Sequence, residues 1–84
     1  MILYFEDSKK QRRLISNPTT VDDMWKDIHC YLYEYSYTTP VIKVNFGKDE
    51  WIITMNDWDE YFIVKDFDEE DLNDIKGGQN NGSK

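Results

Sequence analysis

The sequence predicts an α+β domain of order ββαβββ, one amphipathic helix packed on a mainly antiparallel sheet. Three observations predict it. Apolar residues recur at helical spacing between positions 20 and 36, and at every second position in two runs between 41 and 55, with a continuous apolar run at 61–64. Near the N-terminus, a polar stretch separates two short apolar runs.

The first pair of strands reads as a hairpin. Ile2 to Phe5 is β-rich, Ser8-Lys9-Lys10-Gln11 is a turn, and Arg12-Arg13-Leu14-Ile15 is the return strand. Asn17-Pro18 ends it, because proline has no N–H for the ladder.

The helix signal is the clearest in the chain. Thr19 or Thr20 can cap, and Asp22 or Asp23 follows in an acidic first turn. Val21, Trp25, Ile28, Leu32 and Tyr35 then advance by steps of four, three, four and three, with Met24 and Tyr31 widening the stripe. At about 100° per residue these positions form one continuous face. Lys26, Cys30 and Tyr33 fall opposite, and His29 lies at the margin.

After Pro40 the period becomes two: Ile42, Val44 and Phe46, then Trp51, Ile53 and Met55; the apolar run Tyr61-Phe62-Ile63-Val64 follows as a third strand. Turns at 47–50 and 56–60 make this a three-stranded meander. Residues 1–66 therefore form the domain. Residues 67–76 are an acidic segment that can close a short helix, with Asp68 and Asp71 as a capping pair and Phe67 and Leu72 as a hydrophobic staple. Gly77 would terminate it, leaving 77–84 as a disordered tail.

Composition narrows the chemistry. One domain of 84 residues is near the size at which a single core is stable unaided. Cys30 is the single cysteine and His29 the single histidine, so neither an internal disulfide nor a Cys/His zinc site is available. Three tryptophans, six tyrosines and four phenylalanines supply apolar area instead. The opening Met1–Phe5 run stops at Glu6-Asp7, far short of a signal peptide or a membrane span. The expectation is a soluble, cytoplasmic protein with a reduced thiol.

The net charge of −7 is uneven along the chain. Residues 1–65 carry eleven acids and eight bases, and residues 66–84 carry six acids and two bases. This argues against direct contact with a phosphate backbone and permits binding to a basic protein surface. The basic run Lys9-Lys10-Gln11-Arg12-Arg13 reads as a solvated turn or a counterweight to the acidic tail. Neither Asp57-Trp58-Asp59-Glu60 nor Asp66-Phe67-Asp68-Glu69-Glu70 has the glycine and closing glutamate of an EF-hand, so no metal or cofactor is expected. His29 and Cys30 are helix neighbours pointing about 100° apart and cannot form a dyad, so no catalytic residue is assigned. An enzyme would need converging carboxylates around a pocket and a perturbed His29. Trp58, between acids in a turn, reads either as an interface anchor or as a ring folded over the sheet edge. Tyr33 and Tyr37 stand off the apolar stripe in the same way.

Tyr4-Phe5-Glu6-Asp7-Ser8, Arg12-Arg13-Leu14-Ile15, the capped helix and the closing Tyr61-Phe62-Ile63-Val64 together resemble a group of small phage and prophage proteins of Gram-positive bacteria. The resemblance covers about residues 2–65. It implies a host-cell context in which small acidic proteins inhibit host enzymes or defence systems. Some, anti-CRISPR proteins among them, present carboxylates in place of phosphates. The expected partner is a host or defence protein with a basic nucleic-acid-binding surface. The expected contact residues are Asp57, Trp58, Asp59, Glu60, Asp66, Asp68, Glu69, Glu70, Asp71 and Asp74. The rival expectation is an assembly module, a homodimer or a virion or replication accessory.

Overall fold

The computed structural model describes residues 1–35, 42–56 and 59–81. The periodicities resolve into β1 (Ile2–Glu6), β2 (Arg12–Ser16), α1 (Val21–Tyr35), β3 (Ile42–Phe46), β4 (Trp51–Met55), β5 (Tyr61–Lys65) and α2 (Glu69–Asn81). The protein is an α+β domain of order ββαβββ followed by a second helix. Trp58 and Tyr37, two candidate interface aromatics, lie outside the described residues, as does Asp57.

The five strands make one open antiparallel sheet in the order β2-β1-β5-β4-β3. Asp7 builds the first turn. Its carboxylate accepts the backbone N–H groups of Lys9 and Gln11, both at 2.9 Å, while Lys10 takes a left-handed conformation at φ 67°. The register then slips by one residue on β2, leaving Ile15 as the extra residue of a bulge. Gly47 makes the second turn, where a Cβ would stand 2.7 Å from the Glu50 carbonyl oxygen. β4 and β5 end on Asn56 and Asp66, both left-handed, which these residue types tolerate.

Cross-strand register assigns every strand side chain to a face. One face carries Leu3, Val64, Trp51 and Phe46 in one row and Phe5, Phe62, Ile53 and Val44 in the next. Both helices pack here. From α1, Tyr31 meets the rings of Phe5 and Phe62 at 4.8 and 5.6 Å, and Ser16 donates to Asp27 at 2.6 Å. Ahead of α2, Phe67 stacks on Trp51 at 4.3 Å, and Lys76 lies over Phe46. Val21, Met24, Ile28 and Leu32 of α1 and Ile75 of α2 complete the buried core. A lone helix of this length is marginal in water, so burial holds α1 in place, at about 1.5–3 kcal/mol for each large apolar side chain. Met24, fully buried, marks the centre of the stripe, and Trp25 is displaced to its edge, half-buried.

Two expectations need correction. α2 runs past Gly77 to Asn81, so the tail is helical further than its glycines suggest. Glycine stops a helix by taking positive φ, and no described glycine does so. The basic run is also no counterweight to the acidic tail. Arg12 pairs with Glu6 at 3.1 Å and Lys10 lies over the Tyr61 ring, whereas α2 packs beside β3 and β4.

Candidate functional site

The helices and the sheet divide the charge between them. α1 and α2 together hold eight acids (Asp22, Asp23, Asp27, Glu34, Glu69, Glu70, Asp71 and Asp74) against Lys26 and Lys76. The five strands hold one acid, Glu6, against Arg12, Arg13, Lys43 and Lys65. Both helices lie on one face of the sheet, which Arg13, across from Phe5, shares. The molecule therefore has an acidic helical side and a mildly basic sheet side, where Arg12, Lys43 and Lys65 lie with Glu6.

On the sheet side the register aligns Arg12, Glu6, Tyr61, Thr54 and Lys43 in one row and Leu14, Tyr4, Ile63, Ile52 and Asn45 in another. Among the described residues no helix covers this face. Ile63 is nonetheless buried, while Leu14 at the edge strand is 55% exposed. Glu6 is the buried carboxylate of the molecule's described part. Tyr61 donates its hydroxyl proton to Glu6 Oε2, and Arg12 donates to Oε1 at 3.1 Å. Tyr61's hydrogen bond, helped by Arg12 and opposed by burial, holds the Glu6 carboxyl below its ordinary range. The same bond, with burial, pushes the Tyr61 hydroxyl up. This carboxylate is spent on the fold.

On the helical side, some acids are spent and others free. Thr20 caps α1, its hydroxyl accepting the Asp23 N–H at 3.1 Å, and the Asp23 carboxylate accepts from Thr19 at 3.0 Å. Asp68 and Asp71 form a reciprocal cap on α2: the Asp71 N–H donates to Asp68 at 2.8 Å, and the Asp68 N–H to Asp71 at 3.2 Å. Asp22, Glu69, Glu70 and Asp74 have no hydrogen-bond or ion-pair partner among the described residues. Such carboxylates stay hydrated and available to a partner.

The two acidic groups marked by the sequence are held apart. Asp59 and Glu60 precede β5 and Asp66 follows it, which separates them by roughly 20 Å of extended chain. Glu60 lines a hollow of mixed charge with Asp7, Arg12 and Arg13. Of the 66–74 acids, Asp74 borders α1, which meets α2 in the fold. Where they meet, a groove of about 600 Å³ is lined by Val21, Asp22, Trp25, Asn73, Asp74 and Gly77. The sequence reading missed this pairing of Asp22 with Asp74. Its available signal was Asp22 beside Trp25, three residues apart at the edge of the apolar stripe.

Elsewhere on α1, Cys30 is exposed and the His29 ring stands 6.3 Å from Trp25. Tyr33 is 90% exposed. Among the described residues no three His, Cys, Asp or Glu side chains converge as metal ligands, and no helix is long and apolar enough to cross a membrane. Comparison with known proteins returns no matching family model, no curated protein and no solved structure.

Proposed function

We propose that this chain is a phage-type interaction protein that inhibits a host or defence protein handling nucleic acid, by presenting carboxylates where that protein binds phosphates. The observation that carries the reading is the segregation of charge: eight helical acids against two bases, on one side of the molecule. A partner that binds nucleic acid presents clustered Lys and Arg, which an acidic surface of this kind attracts from solution. The acids available for contact are Asp22, Asp66, Glu69, Glu70 and Asp74, with Asp59 and Glu60 as a second, separate contact. Asp68 and Asp71 serve the cap and support the surface indirectly.

The test is capture from host lysate on immobilised protein, with salt and duplex DNA as eluents. The reading expects retained proteins that bind nucleic acid, release by added DNA, and steep loss of retention with salt. Neutralising Asp66, Glu69, Glu70 and Asp74 to the amides should abolish retention without touching the α2 cap. Retention that ignores salt and survives those changes would overturn mimicry. A salt-insensitive oligomer in sedimentation would favour an assembly module closed through the open sheet face.

A further inference from the structure

Resting on that reading, we infer that the groove between α1 and α2 is the point at which the partner's arginine is gripped, its guanidinium laid on the Trp25 ring and bonded to Asp22 and Asp74. The groove lies at the N-terminal end of α1 beside the middle of α2. Its volume falls within the range of small-ligand sites, large enough for a long side chain and the backbone that carries it.

Three features of its lining specify the occupant. Trp25 is half-buried, so part of its ring stays open, and tryptophan is the best aromatic surface for a cation. Asp22 and Asp74 come from different helices and have no partner among the described residues, so two acids without a partner line the same groove as Trp25. Among the described residues no base lines the groove, although Lys26 and Lys76 lie on the same two helices. An anion, or a second copy's acidic side, would be repelled here, and an apolar side chain would leave both carboxylates bordering it unpaired. Arginine suits the site better than lysine because its flat guanidinium both stacks on rings and bonds carboxylates in a fork, whereas an ammonium is a strongly hydrated point charge.

The remaining acids act differently. Glu69 and Glu70 are exposed in the first turn of α2 and are not among the groove's described lining, so they add long-range attraction and no pocket. The groove therefore supplies position and the layer supplies approach.

Titration of the ¹⁵N-labelled chain with nona-arginine at low salt separates these roles. The expected result is that the Trp25 indole N–H and the backbone amides of Asp22, Asn73, Asp74 and Gly77 shift most. Asp22→Asn with Asp74→Asn should weaken binding by about tenfold, as the loss of two partly exposed ion pairs implies. Glu69→Gln with Glu70→Gln should weaken it less and leave the pattern of shifts unchanged. Nona-lysine should bind more weakly than nona-arginine and shift the Trp25 indole less. Both double variants change exposed carboxylates alone, so retained amide dispersion verifies their fold. Shifts centred on Glu69 and Glu70, or a D22N/D74N variant that binds like the parent, would overturn the groove and leave the acidic-layer reading standing. No shift anywhere at low salt would overturn both.

Discussion

The sheet and the helical layer share one apolar seam and differ in almost everything they show to solvent. On the sheet side the buried carboxylate, Glu6, is satisfied by Tyr61 and Arg12, and the bases nearby are drawn into ion pairs or onto rings. On the helical side, five carboxylates, those of Asp22, Glu34, Glu69, Glu70 and Asp74, have no partner among the described residues. The difference teaches that acidity alone does not mark a contact surface. What marks it is carboxylate left over after caps, turns and pairs have been served.

The strongest way to break the comparison is to cut the seam. Trp51 is fully buried, stacked on Phe67 and edge-on to Phe46, so it joins β4 to the segment that leads into α2. Trp51→Ala should destabilise the domain by about 3–5 kcal/mol in urea unfolding, a large share of a small domain's total. α2 should then lose hydrogen-exchange protection before β1 and β2 do. Trp51→Phe should cost less. It keeps a ring at the seam and removes Nε1, which is buried without a hydrogen-bond partner among the described residues. Equal loss of protection in both layers would mean that α2 is held by contacts other than this stack.

The sheet side is sharpened by Glu6→Gln. Gln keeps the size but turns an N–H₂ toward Arg12 or Tyr61, so the expected loss is about 1–3 kcal/mol at neutral pH. The sign with pH follows from the two shifts. Glu6 is held below its ordinary value of 4.5, so its contribution is complete above that value and disappears as pH falls through the lowered one. The gap between parent and variant should therefore close in acid. Tyr61 is raised above its ordinary value of 10.0, so its share persists below pH 10 and is lost as pH rises through the raised value. Unfolding curves at acid, neutral and alkaline pH read all three regimes. A gap that widened in acid would contradict the assigned partners.

Much of this fold was legible in local patterns. The steps from Val21 to Leu32 define a helix by themselves, and alternation from Trp51 to Met55 defines a strand buried on one face. The reciprocal Asp68–Asp71 cap was legible for the same reason, because a cap needs only a short stretch of chain. What was not legible depends on distant residues. The β1–β5 ladder joins Ile2 to Lys65, and no local pattern specifies that register. Charge divided along the chain as body and tail, yet in space it divides by layer, because both helices pack on one face of the sheet and Asp22 of α1 comes to the same groove as Asp74 of α2. The Trp25 groove follows from the same docking. Its two carboxylates belong to elements that are far apart in sequence and meet only after folding.

The smallest effect tests whether spent and free carboxylates are truly different. Asp68 accepts the Asp71 N–H at the start of α2, where the helix N-terminus also favours negative charge. Asp68→Ala should cost about 1 kcal/mol and fray the first turn of α2, read as lost helical ellipticity and faster exchange at Glu70 and Asp71. Glu70→Gln, two residues further on and without a partner among the described residues, should change stability by less than about 0.5 kcal/mol. If the two substitutions cost the same, the cap does not distinguish Asp68 from its neighbours, and Asp68 rejoins the acids available for contact. If Asp68→Ala alone weakens α2, its effect on partner binding should be recovered by Asp68→Asn or Asp68→Ser, which restore the cap without restoring the charge.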